Sequence, residues 1–155
     1  MQQYRKNIRD KAIAAVIAHE IAMLQSYKTR HSSKQLRYFN SSETRESFAK
    51  LMVHAALTDQ DYSVSSISKL LGVTRVAVIQ IVDDTEAEGW IITRPGARKT
   101  RLCRGGEIML EMAEDWFDMY KETAERTGYL AAFRLLENLE KVIDLEENSI
   151  SSDSL

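Results

Sequence analysis

At 155 residues, 44% hydrophobic and 28% charged, the chain is long enough for one real core and too short for two independent ones. Four Phe, six Tyr and two Trp exclude wholesale disorder, and a single cysteine excludes an internal disulfide, so a reducing, cytoplasmic setting is expected. The formal charge of -2 conceals a polarity, with seventeen Lys/Arg against ten Asp/Glu over residues 1–104 and four against thirteen over residues 105–155. A basic front and an acidic rear leave a positive surface for phosphates, although ordinary solvated helix faces give the same pattern.

The run from Ile8 to Tyr27 starts basic and is apolar from Ala12 to Leu24 except at His19 and Glu20. It is shorter than the roughly 18 residues a membrane span requires, and His19-Glu20 interrupts what would be a signal-peptide core, so neither membrane reading stands. A helix apolar on more than one face has to be covered twice. Its own domain covers one face, and a second copy of the chain is the simplest cover for Ile13, Val16, Ile17, Ile21 and Leu24. Between Lys28 and Thr44 the composition is Ser, Asn and basic residues with Leu36, Tyr38 and Phe39 as anchors, which predicts a loop or a short broken helix. Ser42 or Ser41 caps the next helix, Glu43 to Leu57, whose stripe of Phe48, Leu51, Met52 and Ala55 is placed to pack beneath the central helices.

Those central helices start near residue 63. Ser63 or Ser65 caps a short helix with Ile67, Leu70 and Leu71 on one face, Gly72 turns the chain, and Thr74 caps a second helix. In that second helix Val78, Ile81 and Val82 share a face, while Arg75, Val76, Ile79, Gln80 and Asp84 fall largely on others. Gly89 closes it. Trp90 to Thr93 has the β-branched and apolar content of a strand, Pro95-Gly96 is a turn, and Thr100 to Cys103 returns, with Arg94, Arg98, Lys99, Arg101 and Arg104 crowded on the hairpin. No acidic residue stands between Trp90 and Gly106. Helix, tight turn, helix and basic hairpin make a winged helix-turn-helix able to meet phosphates.

Two more helices complete the chain: Glu107 to Arg126, with Ile108, Met109, Met112, Trp116, Met119 and Tyr120 spaced by three and four, and Leu130 to Leu145, with Phe133, Leu136, Leu139, Val142 and Ile143. Asn148 to Leu155 is polar enough to be a flexible tail.

In this order of elements, Leu71-Gly72-Val73-Thr74 and Glu86-Ala87-Glu88-Gly89-Trp90-Ile91 resemble the MarR family of winged-helix transcription regulators, with Arg98-Lys99 where that family has paired basic residues at the wing tip. Three positions depart from its pattern: Ala97 replaces a usual aspartate, Thr85 a usual apolar residue, and Arg104-Gly105-Gly106 the usual Leu-Thr. The resemblance implies a mainly α homodimer of 1–155 with dimerisation helices at 4–30 and 105–147 and a DNA-binding lobe at 43–104. Phe133 and Leu136 would then join the residues of the N-terminal helix at the dimer interface. It also implies a small-molecule effector pocket, for which Met112, Trp116 and Tyr120 are candidates, although the same stripe is more often the pattern of plain core.

The expected DNA-facing residues are Ser65, Thr74, Arg75, Val76, Ile79, Gln80, Arg94, Arg98, Lys99 and Arg101, on a double-stranded, pseudo-palindromic site. The expected role is transcriptional repression by occupancy, and the competing reading is a winged-helix module that binds another protein. No catalytic, metal or cofactor site is expected. His19-Glu20 is followed at the fourth position by Met23 instead of a second histidine, and His31 and His54 lie far apart with no ligand cluster. Gly105-Gly106 is a helix-start turn and no phosphate loop or nucleophile motif occurs. Cys103 is read as a packing residue, with redox switching the alternative if Arg101 and Arg104 stabilise its thiolate.

Overall fold

The chain forms seven helices and three strands among the described residues, which in this computed structural model are 2–29 and 33–152. They group into two compact units, one from the segments up to Thr29 and from Asp118 onward, the other from the segment between them, ending at Phe117. The second unit takes in more at both ends than the lobe expected at 43–104. His31 lies outside the described residues.

The unit ending at Phe117 begins with α2 (Lys34–Phe39) and α3 (Glu43–Thr58). It continues through β1 (Tyr62–Ser63), α4 (Val64–Leu71), α5 (Arg75–Ala87), β2 (Ile91–Pro95), β3 (Arg101–Gly105) and the first half of α6 (Glu107–Thr127). Helices α2 to α5 each start at a serine or threonine cap. Ser42 accepts from Arg45 N at 3.2 Å, Ser63 from Ser66 N at 3.1 Å and Thr74 from Ala77 N at 3.2 Å, so Ser63 and not Ser65 caps α4. Gly72 ends α4 at φ 65°, the left-handed conformation in which a side chain would be strained, and the α4 and α5 axes turn by 117°.

The apolar stripes close on one core. Phe48 and Met52 of α3, Ile67 of α4, Val78 and Val82 of α5, Cys103 of β3 and Met109 of α6 are buried together with Phe39, Trp90 and Ile91. Each such side chain contributes roughly 1.5–3 kcal/mol when fully buried. Thr85 occupies an apolar slot at 0% exposure because its hydroxyl is satisfied within its own helix, donating to Ile81 O at 2.7 Å.

The sheet has the order β1-β3-β2, antiparallel throughout, with Tyr62 opposite Cys103 and Ile91 opposite Gly105. The two-residue β1 is absent from the sequence expectation, being too short for any alternation to show. Gly105 and Gly106 sit where backbone approaches closely. A Cβ at Gly105 would sit 3.0 Å from Met52 O, and one at Gly106 would sit 3.0 Å from Trp90 O, the same carbonyl that accepts from Gly106 N at 2.9 Å.

The other unit holds α1 (Gln2–Thr29), the second half of α6 and α7 (Tyr129–Ser152), with α1 packed on α7. Helix α7 continues to Ser152, past the expected end at Leu145, and residues 153–155 of the expected flexible tail lie outside the described residues. Ile8, Ala12, His19 and Met23 form the buried face of α1. His19, fully buried, lies between the rings of Tyr120 at 4.5 Å and Tyr129 at 4.6 Å. The second apolar face is bare in the single chain, with Ile13, Ile17, Ile21 and Leu24 all more than half exposed and Val16 half-buried. On α7 Phe133 is exposed and Leu136 half-buried.

Candidate nucleic-acid interface

Helix α5 buries Val78, Ile81, Val82 and Thr85, and the 3.6-residue period therefore turns Arg75, Val76, Ile79 and Gln80 outward. Val76 is 77% exposed, an apolar side chain left in water with no partner in its own unit. Thr74 is exposed at the helix start with its oxygen committed to the cap, whereas Ser65 is half-buried inside α4. Gln80 donates through Nε2 to Asp84 Oδ1 at 2.9 Å. Tyr38 of α2 donates its hydroxyl to the other oxygen of Asp84, also at 2.9 Å, and the Arg45 guanidinium lies over its ring, 4.2 Å from the centroid. Burial and the Asp84 bond push the Tyr38 phenol up to about 12.

The hairpin is less uniformly basic than its sequence. Arg94 pairs with Asp61, Arg101 with Asp83 at 2.6 Å and with Glu86, and Arg104 with Asp61 at 2.5 Å and Asp59 at 2.7 Å. The acids missing between Trp90 and Gly106 arrive from α5 and from the segment before β1. Asp61, with its side chain 3% exposed, has its carboxyl lowered from the ordinary value, chiefly by its hydrogen bond from Arg104. Thr93 adds a bond to Glu86, so α5 carries the hairpin on two carboxylates.

The tip differs. Gly96 N donates to Thr100 O at 2.7 Å and closes the hairpin loop over Ala97–Lys99, where Arg98 and Lys99 stand at φ 57° and 59°. Among the described residues Arg75, Arg98 and Lys99 face solvent without an ion-pair partner. Of the ten expected DNA-facing residues, Thr74, Arg75, Val76, Ile79, Gln80, Arg94, Arg98 and Lys99 are exposed, Arg94 while paired with Asp61. Arg94 and Arg101 are engaged as struts.

Cys103 is fully buried, and burial pushes its thiol up to about 11, outweighing the lowering effect of Arg101. The thiolate required of a redox switch is disfavoured there, and Arg104 is directed to its two aspartates. Met112 borders the core cluster, Trp116 is exposed, and Tyr120 packs on His19 in the other unit. Among the described residues no group of three His, Cys, Asp or Glu is placed to hold a metal ion, and no single helix is long and apolar enough to cross a membrane.

This architecture is a winged helix-turn-helix with long flanking helices, a fold shared with solved transcription regulators. The chain is similar to transcriptional regulator Tm0710 from Thermotoga maritima, at 16% identity over 97% of this chain and 99% of that one, with a TM-score of 0.55. It is similar to MepR of Staphylococcus aureus in a DNA complex, at 16% identity over 77% and 95% of the two chains and a TM-score of 0.53. It is also similar to NadR in complex with 4-hydroxyphenylacetate, at 9% identity over 83% and 86% and a TM-score of 0.53. No family model and no curated protein sequence matches the chain.

Proposed function

We propose that the chain is a double-stranded DNA-binding transcription regulator that works as a homodimer, with repression by occupancy of a pseudo-palindromic site. The observation that carries this reading is the exposed face of α5, with Arg75, Val76, Ile79 and Gln80, in the same compact unit as the unpaired tip cations Arg98 and Lys99. A helix of this kind fits the major groove, with Gln80 and Arg75 at base edges, Val76 and Ile79 against thymine methyls, and the tip on phosphates or the minor groove. The bare α1 face of Ile13, Ile17, Ile21 and Leu24, with Phe133 of α7, supports pairing with a second copy. MepR solved on DNA adds weight to the partner, and NadR solved with 4-hydroxyphenylacetate motivates effector control, with Met112, Trp116 and Tyr120 the residues to test.

A second reading, a protein-interaction module, draws on the pairing of Arg94, Arg101 and Arg104 with carboxylates, which leaves the wing little free charge. Binding to a pool of genomic fragments at two salt concentrations separates them. A specific regulator retains a subset of fragments against competitor DNA, whereas the interaction module retains none at either salt.

A further inference from the structure

We infer that Tyr38 and Asp84 are positioning residues for base readout, fixing the Gln80 amide in the one orientation that matches adenine; the inference rests on the proposed role of Gln80 at a base edge.

An unrestrained glutamine amide can present its oxygen or its nitrogen in either of two flipped orientations, and each suits a different base pattern. Here the flip is decided. Asp84 is acceptor-only when ionised, so it bonds the Nε2 side of the amide at 2.9 Å and would repel Oε1. One Nε2 hydrogen is spent on Asp84, which leaves the second hydrogen and Oε1 available. One donor beside one acceptor is the pair that adenine requires, with N7 accepting and the N6 amino group donating. Guanine offers two acceptors at the same edge and cannot satisfy Oε1.

Asp84 would itself be free to rotate without a second anchor, and Tyr38 supplies it. The phenol donates to Asp84 Oδ2 at 2.9 Å, leaving Oδ1 for Gln80. Tyr38 is fixed from three sides, by the rings of Phe39 at 5.3 Å and Trp90 at 5.6 Å and by Arg45 at 4.2 Å over its face. Arg45 is in turn hydrogen-bonded to Ser41 Oγ at 2.8 Å. A chain of contacts therefore runs from the aromatic core through Tyr38 and Asp84 to a side chain exposed on the outward face of α5.

The test uses full-length protein and a duplex pool with a randomised core, from which bound sequences are read out for the parent, Tyr38→Phe, Asp84→Asn and Gln80→Ala. Gln80→Ala should lower the preference at one A·T pair by roughly 5- to 150-fold, the range of a bidentate base contact. Tyr38→Phe keeps the ring in the core and removes only the hydroxyl. It should lower the preference at that same pair by roughly 2- to 10-fold, with nonspecific affinity unchanged. Asp84→Asn, which can donate as well as accept, should let the amide flip and broaden that position to other bases. Each effect should disappear in the Gln80→Ala background. If Tyr38→Phe and Asp84→Asn change all positions alike, or act additively with Gln80→Ala, the positioning role is overturned while Gln80 remains a reader. If Gln80→Ala alone leaves every position unchanged, both the reader and its positioning fall together.

Discussion

The guanidinium of Arg101 on β3 lies 2.6 Å from the carboxylate of Asp83 on α5, and with its other nitrogen it reaches Glu86 one turn further along the same helix. This joins the hairpin to the outward helix at its last rung, where Arg101 stands opposite Pro95, and leaves only the tip beyond it to project. Arg101→Ala is therefore expected to act on folding more than on DNA. Solvent screening limits the loss to about 0.5–1 kcal/mol, read as a fall in Tm, with the salt dependence of DNA binding unchanged. A drop in the salt slope without a drop in Tm would instead make Arg101 a phosphate contact.

The tip cations give the opposite signature. Arg98→Ala with Lys99→Ala removes two unpaired charges per chain, so a dimer should lose up to about four units of salt slope at nearly constant Tm. Affinity should fall alike on cognate and random duplexes. An unchanged affinity and slope would move the reading to the protein-interaction module.

Asp61 predicts an acid limit to stability. Its carboxyl is depressed in the folded chain, first by Arg104 and then by Arg94, against the opposing effect of burial. A depressed carboxyl binds its proton less readily folded than unfolded. Its stabilising contribution is then complete above the ordinary carboxylate range near pH 4 and is lost as pH falls through the folded value. Tm measured from pH 7 down to pH 3 should fall in the parent and fall less steeply in Asp61→Asn, which starts lower at pH 7. Parallel curves would assign the acid sensitivity elsewhere.

Ile17→Glu and Ile21→Glu each place a charge in the middle of the bare face of α1, where both residues are 53% exposed in the single chain. Neither should unfold its own subunit, because the buried face of α1 is the other one, made by Ile8, Ala12, His19 and Met23. Light scattering should show the dimer shifting to monomer at micromolar concentration, with affinity for a two-half-site duplex falling accordingly. A parent protein that is already monomeric would remove this surface from the proposal.

The centre of the fold is readable in the sequence because its signals are local. Caps at Ser42, Ser63 and Thr74, the left-handed Gly72 and the stripe Val78-Ile81-Val82 each act within one or two turns, and each appears where the residues place it. The hairpin's charge is misleading in the sequence for the complementary reason. Asp61 and Arg104 are 43 positions apart, and Tyr38 and Asp84 are 46, so nothing in the spacing announces either pair. Thr85 and Gly105-Gly106 look like defects in a family pattern until their surroundings are known. One is a hydroxyl bonded within its own helix, and the others are sites where a Cβ would crowd a neighbouring carbonyl at 3.0 Å.

The left-handed backbone at Arg98 and Lys99 has a consequence for how this chain can change. Each side chain there costs on the order of 1–2 kcal/mol relative to a residue at ease in that conformation, and Gly or Asn would relieve it. Folding and binding thus pull in opposite directions at two adjacent codons. A library randomised at these positions and sorted only for resistance to proteolysis should drift to Gly and Asn, whereas the same library sorted for retention on DNA should keep Arg and Lys.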